Sequence, residues 1–132
     1  MGSNIESSVV NFSSLPGSTG TASGGGAGTI TAQTVPIPLN SVVLMRTNIV
    51  GYRTGGTAGA VGDSAAYTRS ARIKNIAGVV TINDLFSDFA SYDQAAWDAT
   101  FAVSGSNVLV QVTGAANNNI NWATLTILTA VQ

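Results

Sequence analysis

The sequence predicts an all-β protein, an antiparallel and jelly-roll-like β-sandwich preceded by an extended Gly/Ser-rich N-terminal arm. Two observations predict the sandwich. From Trp97 to Val131, the stretches WDATFAV, VLVQV and INWATLTILTAV alternate between apolar and small or polar residues, and the short turns SGSN and TGAANNN separate them. A period of two with β-branched residues and Gly/Asn breaks is the pattern of half-buried strands. Earlier, LNSVVLMRTNIVGYR carries the same alternation. The arm is predicted by STGTASGGGAGTITAQT, which has almost no side chain to bury and several glycines. Such a segment cannot offset its own ordering entropy, so it orders only when clamped against other subunits or another protein.

The elements follow in order. Residues 1–34 form the predicted arm, with Ile5, Val9, Val10, Phe12, Leu15 and Ile30 as its candidate attachment contacts, and residues 35–132 form the β-sandwich domain. The lead-in Val35-Pro36-Ile37-Pro38 is extended, because a residue before proline is pushed out of the helical region. LNSVVLMRTNIVGYR is one long strand, or two with a kink near Asn48. Val42, Leu44, Val50 and Tyr52 fall in one phase, and Val43, Met45 and Ile49 in the other. Apolar residues in both phases imply two covered faces, which for an outer strand means a subunit contact.

TGGTAGAVGDSAA is glycine-rich and is predicted as a loop. Tyr67 to Ile73 and Val79 to Ile82 are two further strands, split by Asn75 to Gly78. NDLFSDFASYDQAAW is ambiguous: Leu85, Phe89, Tyr92 and Ala96 lie at helical spacing among neighbouring strands. A helix capped by Asn83 or Asp84 competes with an irregular crossover between sheets, and the crossover is preferred. Strands at Trp97–Val103, Val108–Val112 and about Ile120–Val131 complete six to eight. Trp97 and Trp122 read as core or interface anchors, with sugar stacking the lesser alternative.

Composition narrows the function. Hydrophobic residues make up 45% of the 132-residue chain and charged ones 8%, against roughly 25% charged in average soluble proteins. A surface of Ser, Thr, Asn, Gly and Ala suits burial against neighbours. The net charge of −1 gives no drive for counterion release from phosphates, so nucleic acid is not expected as a partner. No stretch reaches the roughly 20 consecutive apolar residues of a membrane helix. The start carries no Lys/Arg-led apolar run, so no signal peptide is expected.

Cysteine and histidine are both absent. Disulfides, thiolate sites, Cys/His zinc sites and Ser-His or Cys-His nucleophile pairs are thereby excluded. Asp84, Asp88, Asp93 and Asp98 lack the alternate-residue spacing of a calcium loop and read as a solvated rim. The glycine-rich SGGGAGT is followed by no Lys-Ser/Thr and preceded by no strand, so it is no nucleotide loop. The chain is therefore expected to use no cofactor or metal and not to be an enzyme. The cations Arg46, Arg53, Arg69, Arg72 and Lys74 cluster ahead of the acidic run Asp84–Asp98. The two patches pair either within the fold or between identical subunits.

The strings VPIPLNSVV, IVGYRTGGTAG, GDSAAYTRSARIKN, AAWDATFAVSG and VLVQVTGAANNNINW together resemble a β-rich domain of tailed-bacteriophage and prophage virion proteins, of the tail-fibre or decoration type. The resemblance spans about a hundred residues, and VTGAANNNINW is its most distinctive string. It implies a non-enzymatic virion component made in the host cytoplasm, a homotrimer, with its sandwich outward and its arm docked on other virion proteins of the capsid or tail. A capsid decoration or cement protein, or a short fibre, is the main expectation. The alternative is a tail-fibre tip that recognises a host surface glycan or protein. Its candidate exposed binding residues are Tyr52, Arg53, Asn117, Asn118 and Asn119, on and beside the loops at Gly55–Gly62 and Asn117–Asn119.

Overall fold

The structure, a computed structural model, describes residues 12–14 and 17–132. It consists of nine antiparallel strands: β1 Phe12–Ser14, β2 Ser18–Gly25, β3 Thr29–Pro36, β4 Ser41–Gly55, β5 Ser64–Ile76, β6 Val79–Tyr92, β7 Asp98–Ser104, β8 Asn107–Thr113 and β9 Asn119–Val131. The large sheet runs β1-β9-β4-β5-β6, with β2 also on the outer side of β9, and the small sheet runs β3-β8-β7. The sandwich expectation holds.

Alternation builds the core as the sequence predicts. Along β4 every second residue from Ser41 to Gly51 is buried, and the same holds from Ile120 to Ala130 in β9. Val43, Met45, Ile49, Ile73 and Trp122 of the large sheet face Val35, Phe101, Val108, Val110 and Val112 of the small one. Burying each such side chain contributes about 1.5–3 kcal/mol, which is why strand register is fixed by this inner face. β4 is a single strand of 15 residues, and its pairing with β5 and β9 passes Asn48 without a break. The β5–β6 turn places Ala77 (φ 54°) and Gly78 (φ 87°) in the left-handed region, matching the twist of a two-residue hairpin.

Two expectations are corrected. Residues 84–92 are neither a helix nor a crossover but the second half of the edge strand β6. Its pairing with β5 slips twice, between Thr68 and Arg69 and between Ser70 and Arg72. Each bulge adds a residue to β6 and shifts its phase, which mimics helical spacing for Leu85, Phe89 and Tyr92.

The second correction concerns the arm. Over its last half the predicted arm is part of the sandwich: Ser18–Gly25 pairs residue by residue with Asn119–Thr126, and Thr29–Pro36 pairs with β8. Ile30 packs against the core, and Phe12 pairs through its backbone with Val131. Ile5, Val9, Val10 and Leu15 lie outside the described residues. Two features explain how so polar a segment is held. Gly20 lets the chains approach closely, since a Cβ there would stand 2.2 Å from the Ala32 carbonyl oxygen. Gln33, turned inward by a bulge at Ala32, accepts hydrogen bonds from Thr124 (2.7 Å) and Thr126 (2.9 Å) and donates to Ser18 (2.7 Å). Thr126 in turn shares a 2.8 Å hydrogen bond with Thr47. This buried polar network ties β2 and β3 to the centre of the large sheet.

Candidate functional site

The loops singled out in the sequence do converge, at one end of the sandwich. Arg53 donates to the carbonyl oxygens of Ala58 and Gly56, closing the loop between β4 and β5. Asp63 accepts from the Ala60 amide (2.9 Å) and from Gln94 Nε2 (2.7 Å), and Gln94 Nε2 also donates to Asn118 Oδ1 (3.0 Å). These bonds, the Ala60 amide first, hold the Asp63 carboxyl below its ordinary value.

The arrangement is a brace between three loops. Asn118 is buried within it and is not an exposed contact, a correction to the expected binding loop. Asn117 and Asn119 are exposed, Asn117 in the left-handed region at φ 61°. Tyr52 is exposed too, but it projects from β4 onto the outer face of the large sheet and not from a loop.

A different set of side chains forms a better site. Between β5, β6 and the start of β7 lies an open groove of about 530 Å3 lined by Tyr67, Arg69, Ser87, Tyr92, Trp97 and Asp98, among others. That size is within the range of small-molecule sites, about 300–1,000 Å3. The bulge in β6 at Asp88 turns Ser87 toward Arg69, and the turn from Gln94 to Trp97 places Trp97 and Asp98 across from them.

Arg69 is buried and fully committed in direction. It donates to Ala99 O (2.9 Å), Ser87 Oγ (2.6 Å), Phe89 O (3.2 Å) and Asp98 Oδ1 (3.2 Å), and its guanidinium lies 4.8 Å from the Tyr67 ring centre. Tyr67 and Tyr92 stack with ring centres 6.3 Å apart. Asp98 Oδ1 also takes the Ala99 amide, whereas its Oδ2 accepts nothing among the described residues. The Tyr67 hydroxyl and the Trp97 indole N–H are both buried without a hydrogen-bond partner there.

The groove thus offers an open carboxylate oxygen of Asp98 and the exposed ring of Tyr92, whereas the Tyr67 hydroxyl and Trp97 indole N–H are enclosed in its wall. An acceptor beside an exposed ring in one groove matches a polyhydroxylated ligand, whose hydroxyls donate and whose C–H faces pack on rings.

Burial first, and then the Asp98 carboxylate, push the Tyr67 phenol up to about 12, with Arg69 opposing. The fold therefore favours the neutral phenol. Stability from this preference is complete below the unfolded value of about 10 and is lost as pH rises toward the folded value of about 12. Tyr67→Phe is expected to flatten that alkaline loss while leaving stability at neutral pH equal or slightly higher. Urea midpoints of both proteins across the alkaline range check it; equal slopes would refute the assignment.

Sequence reading missed this groove. Arg69 and Asp98 were visible only as members of charge patches, and the fold does pair them, as it pairs Arg46 with Asp88 at 3.9 Å. Trp97 reads as a core or interface anchor and Tyr67 as the start of a strand, and both belong to the core. The available signal was a buried-phase arginine in a strand, TRSAR, which needs several acceptors around it.

No protein-family model and no curated protein matches this chain. Solved structures do. The tailspike protein of Acinetobacter baumannii phage AM24 aligns with 84% of the chain at a TM-score of 0.50 and 11% identity. A tailspike protein, gp49, of A. baumannii bacteriophage Fri1, described as a capsular polysaccharide depolymerase, aligns with 96% at 0.43 and 9% identity. The tailspike of Acinetobacter phage vB_ApiP_P1 aligns with 89% at 0.40 and 18% identity. The chain spans between a fifth and about a quarter of the length of these proteins, 26%, 22% and 21% respectively. The first likeness is one of fold.

The expectation of a non-enzymatic chain is corrected by this set. One of these tailspikes is described as a capsular polysaccharide depolymerase. The missing histidine does not exclude such activity, because glycoside cleavage runs on carboxylates.

Proposed function

We propose that this chain is a bacteriophage tail module that binds a saccharide of the host surface in the groove between β5, β6 and β7. The observation that carries the reading is the combination in one groove of the open Asp98 Oδ2 and the exposed Tyr92 ring. The tailspike-like fold supports the tail context. Attachment to the particle falls, in this reading, to residues ahead of β2, with Ile5, Val9, Val10, Phe12 and Leu15 as apolar contacts; Ile30 is taken up by the sandwich.

Titration calorimetry with oligosaccharides from purified bacterial capsules tests the reading. Asp98→Ala and Tyr92→Ala each remove one polar or stacking contact worth about 1.4 kcal/mol, so affinity should fall about tenfold or more. Arg53→Ala and Asn117→Ala, away from the groove, should leave affinity unchanged. Saccharide binding that survives both groove variants would overturn the site, and absence of binding to every capsule fraction would overturn the function.

A further inference from the structure

The charges around the groove between β5, β6 and β7 are one-sided. All five cations of the chain lie between Arg46 and Lys74, and no lysine or arginine follows. β6, the turn after it and the start of β7 therefore bring acids only: Asp84, Asp88, Asp93 and Asp98. Asp88 is turned to the outer face of the large sheet, where it accepts from Ser70 (2.6 Å) and lies 3.9 Å from Arg46. Asp98 is the acid that lines the groove, and Arg69 is the only cation there among the described residues. Arg69 is closed to a ligand, with a side chain 9% exposed and four hydrogen bonds already made. Asp98 is 65% exposed and keeps Oδ2 open. Their pairing does not cancel the field: Asp98 pushes the Tyr67 phenol up by more than Arg69 pulls it down, although the guanidinium lies only 4.8 Å from that ring. Beside them Tyr92 stacks on Tyr67 and leaves half of its surface open.

Building on the saccharide reading of this groove, we propose that it takes an amino sugar with a free amine, held as an ammonium by Asp98 Oδ2 and the Tyr92 ring, and that it excludes sugar acids. Both groups attract the same charge. A carboxylate accepts a charge-assisted hydrogen bond from an ammonium, and the face of an aromatic ring draws a cation through its quadrupole. The hydroxyl of a neutral sugar makes only the weaker, uncharged form of the first contact. A sugar carboxylate meets the like charge of Asp98 and finds no free cation to answer it. Ser87 supplies the complementary donor: its Oγ accepts from Arg69 Nη1, and its hydrogen has no acceptor among the described residues. Arg69 Nη1 holds Ser87 while Nη2 holds Asp98, so donor and acceptor stand side by side on one fork. Neighbouring amine and hydroxyl groups on one sugar ring match that arrangement.

Titration calorimetry of the full chain at mildly acidic pH, where a sugar amine is charged, tests the assignment. The probes are a glucosamine tetrasaccharide, its fully N-acetylated form and a galacturonic acid tetrasaccharide. The glucosamine form is expected to bind about tenfold or more tightly than the acetylated form, a difference of about 1.4 kcal/mol, and the galacturonic form not at all. Added salt should erode that difference. Asp98→Asn should make the glucosamine and acetylated forms bind alike, whereas Asp88→Asn, on the opposite face, should keep the preference. Equal affinity of the parent chain for the first two probes, binding of the galacturonic probe, or a preference that survives Asp98→Asn would each overturn the proposal. If none of the probes binds while a capsule oligosaccharide does, the amine assignment falls and the saccharide reading stands. If the capsule oligosaccharides fail as well, both fall.

Discussion

A chain that starts at Val35 is expected to lose its cooperative unfolding transition, whereas one that starts at Gly17 keeps it. The cut at Val35 removes all of β2 and six of the eight residues of β3. β9 then loses the partner along Asn119–Thr126, and the backbone groups of that edge of the sheet return to water. Removing Gln33 strips the acceptor from Thr124 and Thr126, both buried, at a cost of about 1–3 kcal/mol for each unsatisfied group. Trp122, which pairs with Ala22 and Gly51, is uncovered on the β2 side. Together these losses consume a total stability that for a domain of this size is about 5–15 kcal/mol. Thermal melting followed by circular dichroism distinguishes the two truncations, and a sharp transition in the Val35 chain would refute the assignment of β2 and β3 to the domain.

The same segment marks where sequence reading stopped. β4, β5, β7, β8 and β9 were legible because each repeats large apolar residues at a period of two, and that period is what the inner face demands. β2 carries no such signal. Its residues STGTASGG contribute backbone pairing and, at Gly20, the absence of a side chain, neither of which leaves a periodic trace. The second half of β6 failed for another reason, since its two bulges break the period that identified Val79–Ile82. The candidate site was legible only in part. Arg53 and Asn117–Asn119 do meet at one end, but Asn118 is consumed in bracing the loops. The groove residues are brought together by a bulge and a turn, features of tertiary geometry that no local spacing encodes.

Arg69→Leu is expected to destabilise the protein through the buried acceptors it leaves without a donor, at about 1–3 kcal/mol for each. The size follows from the number of acceptors left behind. Ala99 O, Phe89 O and Ser87 Oγ all lose their donor, and Asp98 loses its cation. Arg69→Lys should recover little of this, because a single ammonium group cannot span the acceptors that a planar fork reaches simultaneously. Asp98→Asn is expected to be mild by comparison: the Asp98 side chain is 65% exposed against 9% for Arg69, so its charge is largely solvated and Arg69 retains its other three bonds. Urea unfolding of the three variants gives the order Arg69→Leu, Arg69→Lys, then Asp98→Asn from largest loss to smallest. If Asp98→Asn proved as damaging as Arg69→Leu, the ion pair and not the carbonyl and hydroxyl acceptors would be holding the guanidinium. Asp98 would then belong to the scaffold of the groove, without freedom to turn its second oxygen to a ligand.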